Sequence, residues 1–247
     1  MKTTVHDSKE AMGRAAAQEG AAIIRDTIAR DGRAAVIVAT GASQLEMLEH
    51  LVREDIDWSK VTAFHLDEYV GLTESHPASF RGYLKSRFVE PVGNLGEFVE
   101  VHGNATDLGA EIDRLNDRIA VEDIAVCFAG VGENCHLAFN DPPADFDTDT
   151  PYLVVNLDAA CRQQQYGEGW FPTLNEVPAQ AVSMSVRQIL KSRRIILTIP
   201  DERKAKAVKA ALEGPVTNTA PASILQTHSH VSVHMDPFAA SLLTPAG

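Results

Sequence analysis

The middle of the chain holds a short run of side chains that can exchange protons. His136 can gain or lose a proton near neutral pH, and Asp141, five residues later, can orient its ring. Asn134, two residues before the histidine, adds an amide. Gly130 and Gly132 precede them and let the backbone turn sharply. This catalytic loop, residues 130–141, is predicted to be the reactive centre, although a histidine such as His136, taken alone, is more often buried and bonded to the backbone.

A second acidic motif, Asp67 and Glu68, follows the apolar run 62–66. Two adjacent carboxylates at a strand end face different ways, so we expect them to have different roles. One can enter a cleft as a general base, while the other caps a helix or pairs with a cation. The alternative for such a pair is a solvated acidic turn.

A third motif has the residue types that hold phosphate. Thr40, Gly41, Ala42 and Ser43 follow the apolar run 34–39 and precede a helical pattern. Free N–H groups at a helix start, with the two hydroxyls, can bind an anion, although a small-residue turn is also an ordinary connection.

A basic segment near the C-terminus could contribute to such a site. Lys204 lies in the first turn after a predicted strand and is the lysine best placed to reach a ligand. Lys206 and Lys209 do not share its helix face, and a solvated surface suits them better.

Two further motifs have ordinary structural readings. Cys135 is interpreted as a packing residue. His228, His230 and His234 would fall on one face of a strand, but the valines between them indicate a half-exposed strand, and no metal site is predicted there.

The elements around these motifs alternate between strands and helices. Apolar runs predict buried strands at 34–39, 62–66, 124–129 and 194–199, with helices between them. One of these helices is expected to start near Pro77. This alternation predicts an α/β fold of Rossmann-like type, a single domain over residues 1–247 with an open, mostly parallel sheet covered on both faces. The segment 161–172, rich in Gln, Gly and aromatic residues, suggests a mobile flap spanning about 145–178 rather than core.

Composition excludes several classes of function. The net charge is −12, without a long Lys/Arg cluster, so nucleic acid and anionic membranes are not expected as partners. No apolar run is long enough to span a bilayer, and no signal-peptide core is recognisable. Three cysteines without metal-ligand spacing favour a reduced, cytoplasmic setting. A homo-oligomer is allowed but not specified.

Taken together and in order, the motifs resemble the glucosamine-6-phosphate deaminase (isomerase) family, which shares its fold with 6-phosphogluconolactonases. Residues 39–43 resemble the family's phosphate loop, and residues 64–72 resemble its second signature. Residues 130–142 resemble its catalytic loop, and Lys204 lies where the family has a phosphate-binding lysine. The residues after the Asp-Glu pair, 69–72, and after the histidine, 138–140, resemble those of deaminases more than those of lactonases.

The resemblance implies a substrate and a mechanism. A hexosamine 6-phosphate would open its ring with the help of His136, supported by Asp141 and Asn134. Asp67 would then move a proton from C2 to C1, and water would release ammonia and leave fructose 6-phosphate. Glu68 and Gly132 are expected among the substrate-binding residues. Neither a metal nor an organic cofactor is required.

The sequence departs from the family at two places. Asn134 replaces the usual aspartate and Asp141 the usual, longer glutamate, so one carboxylate of the family's pair around the histidine is missing. Glu168 or Gly169 falls where the family has a phosphate-clamping arginine, and Arg162 or Arg187 could substitute for it. Two alternatives therefore stay open: another sugar-phosphate isomerase or phosphogluconolactone hydrolase on this scaffold, and a sugar-phosphate sensor without catalysis.

Overall fold

The computed structural model describes residues 1–244. Within that range the strands are β1 (Lys2–Val5), β2 (Ala34–Val38), β3 (Val61–His65), β4 (Asp67–Tyr69), β5 (Glu97–Val99), β6 (Ile124–Ala129), β7 (Tyr152–Asn156), β8 (Gln180–Met184), β9 (Ile195–Ile199) and β10 (Val231–Met235). Seven of them form a parallel sheet in the order β1-β10-β9-β6-β2-β3-β5. The predicted α/β class with a mostly parallel sheet is confirmed.

Helices cover both faces of this sheet. They are α1 (Lys9–Asp31), α2 (Leu45–Leu51), α3 (Phe80–Leu84), α4 (Glu90–Val92), α5 (Leu108–Ala120), α6 (Ala159–Gly167), α7 (Val186–Leu190) and α8 (Ala205–Glu213), with a π-helical turn at Lys85–Val89 that joins α3 to α4. Among residues 1–244, none of these helices combines the length and apolar character that crossing a bilayer requires.

The side chains of β2 show how the two faces divide. Val36 and Val38 pack with α1 and α2 on one face, while Ala35 and Ile37 pack with α5 and α8 on the other. Because both faces are covered, the strand is a continuous apolar run rather than an alternating one.

A second, antiparallel sheet of β4, β8 and β7 lies beside the first. Its strand β4 contains the Asp67–Tyr69 segment, which the sequence had indicated only as a strand end followed by a loop. The backbone N–H of Met184 donates to the carbonyl of Leu66, which ties the end of β8 to the link between β3 and β4.

Other elements also differ from the sequence-based expectations. The edge strand β1 was not predicted, because Lys2–Val5 is only four residues long and contains one apolar residue. The helix expected near Pro77 begins at Phe80, since Ser79 caps it by accepting a hydrogen bond from the Gly82 N–H. His228 and His230 lie before β10, and His234 is buried inside it rather than half-exposed.

The segment 161–172 contains more structure than a loop. Its first part belongs to α6, which Asp158 caps by accepting a hydrogen bond from the Cys161 N–H. Cys161, Gln164 and Gln165 are buried, so the expectation that this part lies outside the core was wrong. The motion of the segment stays a prediction.

Candidate active site

One cleft opens at the carboxyl ends of the central strands. Its walls come from the segments after β2, β3, β6 and β9, and from α6. In the sheet, β2 and β6 are neighbours, and the chain continues from β2 to β3 on one side and from β6 to β9 on the other. Open α/β sheets usually bind their ligands at such a reversal of strand order.

His136 is held at the bottom of this cleft by its own loop. Its Nδ1 lies 2.9 Å from Oδ1 of Asp141, and its ring packs onto Gly132. A Cβ at Gly132 would lie 2.2 Å from the His136 Nε2, so only glycine leaves room for the ring. Burial acts to raise the pKa of Asp141, but the hydrogen bond and charge of His136 and the donors around it prevail and lower it. An ionised Asp141 keeps a proton on Nδ1 and leaves Nε2 for exchange with a ligand.

Asn134 and Asp141 lie behind the histidine rather than on the cleft wall. The Asn134 side chain accepts a hydrogen bond from the His136 N–H at 3.1 Å and donates to Asp141 at 2.9 Å. Both residues were predicted as catalytic, but their contacts make them supports for His136, which alone of the three lines the cleft.

Three potential metal ligands meet in the same place. The ligand atoms of His136, Asp141 and Cys161 lie within 4.8 Å of one another. Burial and the neighbouring carboxylates raise the pKa of the Cys161 thiol, which favours a protonated sulfur over the thiolate that metals bind. The arrangement fits a hydrogen-bonded support for His136 better than a metal centre.

Asp67 also lines the cleft, as the first residue of β4. It is only 6% exposed, and no side chain or backbone N–H of the described residues donates a hydrogen bond to its carboxylate. Burial, and to a lesser extent the charge of Glu68, raises the pKa of Asp67 to about 8. A buried, unpaired carboxylate with this pKa is suited to take a proton near neutral pH.

Glu68 does not reach the cleft, so its assignment as a substrate-binding residue was wrong. Its carboxylate accepts hydrogen bonds from the Ser79 hydroxyl and from the backbone N–H groups of Tyr69, Phe80 and Arg81. Burial raises the pKa of Glu68, and these donors act in the opposite direction. The residue therefore fixes the start of α3, one of the two separate roles expected for the acidic pair.

Replacing Glu68 with glutamine is expected to lower the free energy of unfolding by about 2–3 kcal/mol, because an amide N–H₂ would face donors that now meet a carboxylate. Urea unfolding would measure the change. Glu74→Gln, which alters an exposed carboxylate paired with Lys85, is the matched control and should change stability by less than about 1 kcal/mol. Equal effects of the two substitutions would contradict the capping role.

The predicted phosphate loop, residues 40–43, forms another part of the wall. Gly41 has a φ of 93°, which favours glycine, and a 3₁₀ turn, Ala42–Gln44, follows it. The Gln44 side chain donates to Ser43 and to Thr198 of β9, at 3.1 Å and 2.8 Å. The loop is therefore fixed to β9 before any ligand arrives.

Lys204 reaches the same cleft from the 3₁₀ turn Glu202–Lys204 after β9. It is 7% exposed, and burial lowers its pKa. Its ammonium lies 4.0 Å from the carboxylate of Glu168, at the end of α6. The side chains of Gln164 and Trp170 donate to Glu168 and hold it there.

Neither arginine proposed as a phosphate clamp lies in the cleft. The guanidinium of Arg162 donates to the carbonyls of Leu174 and Val177, and that of Arg187 pairs with Asp149. Arg203, next to Lys204, lines the cleft instead.

Sequence reasoning missed several lining residues: Lys9, Phe80, Phe139, Gln164, Gln165 and Arg203. Lys9 follows the unrecognised strand β1, so recognition of that strand would have placed it at the same sheet edge. For the two glutamines of α6 the sequence carries no comparable signal.

The fold and these motifs match a known protein family. The family model described as glucosamine-6-phosphate isomerases/6-phosphogluconolactonase covers residues 7–234. The chain belongs to this family. The suspected resemblance is thereby confirmed.

Two sequence relatives within the family bear the name of its deaminase branch. A glucosamine-6-phosphate deaminase of Lacticaseibacillus paracasei is 39% identical over 210 residues, which cover 84% of this chain and 86% of the relative. One of Exiguobacterium sibiricum is 36% identical over 207 residues, covering 84% and 80%.

Solved structures include members of both branches. That of a monomeric glucosamine-6-phosphate deaminase superposes with a TM-score of 0.87 at 33% identity and covers 98% of this chain and 100% of its own. A 6-phosphogluconolactonase from Shewanella baltica reaches 0.79 at 19% identity, with coverage of 96% and 97%. The second likeness shows the shared fold alone.

Proposed function

We propose that this chain converts glucosamine 6-phosphate and water to fructose 6-phosphate and ammonia. One observation carries the proposal: Asp67, with its raised pKa, and His136, oriented by Asp141, line the same cleft as Lys204 and the loop of residues 40–43. The deaminases that resemble this chain are 33–39% identical to it over most of its length. This agreement favours an amino-sugar phosphate as the substrate.

The reaction would begin at the sugar ring. With the phosphate held between residues 40–43 and Lys204, the reacting end of the sugar extends toward His136 and Asp67. The Nε2 of His136 transfers a proton between the anomeric hydroxyl and the ring oxygen, which opens the ring to the aldehyde. Asp141 holds the imidazole and balances any positive charge that it gains.

The second stage would transfer a proton along the carbon chain. Asp67 removes the proton from C2 while the C2 ammonium gives up a proton to the aldehyde oxygen, which yields an enolamine. Asp67 then returns its proton to C1, which leaves a protonated imine at C2. Water adds to C2, and the C2–N bond breaks to release ammonia and leave the ketone of fructose 6-phosphate. Asp67 ends each cycle in the ionised form in which it began.

A substrate panel would test this function. Purified protein should release ammonia and fructose 6-phosphate from glucosamine 6-phosphate in equal amounts, and neither product from N-acetylglucosamine 6-phosphate. Hydrolysis of 6-phosphogluconolactone without ammonia release would instead assign the chain to the lactonase reaction. Tight binding of a sugar phosphate without turnover of any substrate would support a sensor.

Lys204→Met is expected to raise the KM for glucosamine 6-phosphate by about 10- to 100-fold, since a buried ammonium contributes roughly 1.5–3 kcal/mol to a charged hydrogen bond. Initial rates over a range of substrate concentrations measure this change. Lys206→Met, which removes an exposed lysine two residues away, is the control and should keep the original KM. An unchanged KM in the Lys204 variant would place the phosphate elsewhere.

Two expectations remain predictions. Analytical ultracentrifugation would test whether the chain forms a homo-oligomer, and cell fractionation would test a cytoplasmic location.

A further inference from the structure

The amide of Asn134 connects two carboxylates. Its Nδ2 lies 2.9 Å from Oδ1 of Asp141 and 3.2 Å from Oδ2 of Asp158, while its Oδ1 accepts a hydrogen bond from the His136 N–H. An asparagine amide has two N–H donors, and both are used here. Asp158 lies 24 residues away in sequence, at the start of α6.

Asp158 and Asp141 are also joined directly. The backbone N–H of Asp158 donates to Oδ2 of Asp141 at 2.9 Å. Oδ1 of Asp158 accepts from the Cys161 N–H at 2.6 Å, which caps α6. The histidine, its carboxylate and the start of α6 thus form one hydrogen-bonded unit.

Charge explains why residue 134 is an amide. An aspartate there would bring acceptor-only oxygens within hydrogen-bonding distance of two other carboxylates, and three such groups cannot all stay ionised. An asparagine instead donates to both neighbours. The number of carboxylates around His136 is therefore two, as it would be with an aspartate at 134 and an amide at 158.

We propose that Asp158 is a positioning residue of the reaction: it supplies the second carboxylate of the His136 support and acts through the amide of Asn134. The inference rests on the proposed function for its kinetic consequences. Loss of the Asp158 charge frees one N–H of Asn134 and loosens the contact between the catalytic loop and α6. The orientation of the imidazole then becomes less well defined, while the phosphate contacts are untouched.

The test is a double-mutant cycle. Asp158→Asn keeps a good helix cap, so α6 should stay folded, and kcat is expected to fall about 10-fold with little change in KM. Asn134→Asp should lower kcat by at least as much, because it creates the three-carboxylate cluster. The double variant, Asn134→Asp with Asp158→Asn, again has one amide and two carboxylates, although residues 134 and 141 then face each other as carboxylates, so it should recover part of the activity lost in Asn134→Asp.

The control and a second readout separate this inference from the function itself. Asp107→Asn changes the cap of α5, away from the cleft, and should leave kcat unchanged. The ¹⁵N shifts of the His136 imidazole report its tautomer without any substrate; one Nδ1–H tautomer is expected in the wild type, mixed tautomers in each single variant, and a smaller share of the second tautomer in the double variant than in Asn134→Asp. If the wild type released no ammonia, the proposed function would fail while this tautomer test still applied.

Two results would overturn the inference. Effects of the two substitutions that simply multiply in the double variant, in both kcat and tautomer, would show that residues 134 and 158 act independently. An Asn134→Asp variant as active as the wild type would show that the cluster accepts a third carboxylate.

Discussion

Replacing Asp67 with asparagine is expected to lower kcat for ammonia release by about 10³-fold, because the amide cannot accept the C2 proton. The change in size is small, and no hydrogen bond from the described residues is lost. Steady-state rates with glucosamine 6-phosphate provide the measurement. Asp55→Asn, at an exposed aspartate outside the cleft, is the control and should keep full activity.

The pH dependence of the wild-type enzyme tests the same role of Asp67. Only the ionised carboxylate can act as a base, so kcat/KM of the wild type should rise with pH up to about 8, the raised pKa of Asp67. A profile that is flat from pH 6 to 9 would contradict this role for Asp67.

The raised pKa also has a consequence for stability. The folded protein binds the Asp67 proton more tightly than the unfolded chain, in which the pKa is near 3.8. The stability from this proton is complete below pH 3.8 and is lost as the pH rises through about 8. Asp67→Asn removes that loss, so the inactive variant should unfold at a higher temperature than the wild type at pH 9. The same melting temperature for both proteins would show that burial does not strain this carboxylate.

Replacing His136 with alanine is expected to lower kcat by about 10²–10⁴-fold with a small change in KM, because in the proposed mechanism the residue moves a proton but holds no phosphate. His230→Gln, at an exposed histidine, is the control. Substrate deuterated at C2 separates the two stages. If ring opening becomes rate-limiting in the alanine variant, the deuterium isotope effect on kcat should fall toward one.

An isotope effect as large in the His136 variant as in the wild type would show that ring opening does not depend on this residue. The histidine would then act in the later transfer between C2 and C1, which the proposed mechanism assigns to Asp67 alone.

The sequence was sufficient for the elements that carry strong local signals. Continuous apolar runs predicted the buried parallel strands, and glycines marked the loops that follow them. Because parallel strands place their carboxyl ends along one edge, Asp67, His136 and Lys204 could be expected in one cleft without coordinates. The edge strand β1 is short and polar, so its signal was too weak.

Roles that depend on distant partners could not be predicted in this way. Glu68 is a cap only because the start of α3 folds back over it. The glutamines of α6 were expected in a flap rather than in the core, yet Gln165 accepts a hydrogen bond from the buried hydroxyl of Tyr69 at 2.6 Å. The hydrogen bond between Asn134 and Asp158 likewise joins two segments 24 residues apart, and neither sequence pattern indicates the contact.

Because Lys204 pairs with Glu168, the carboxylate of Glu168 competes with a substrate phosphate for the lysine ammonium. If phosphate binds Lys204 as proposed, it replaces Glu168 as the partner of the ammonium. The observed affinity then reports an exchange of one anion for another rather than the full strength of the lysine contact. Added salt weakens the outgoing and the incoming pair together. The affinity for the sugar phosphate should therefore change less with ionic strength than that of an open lysine site would.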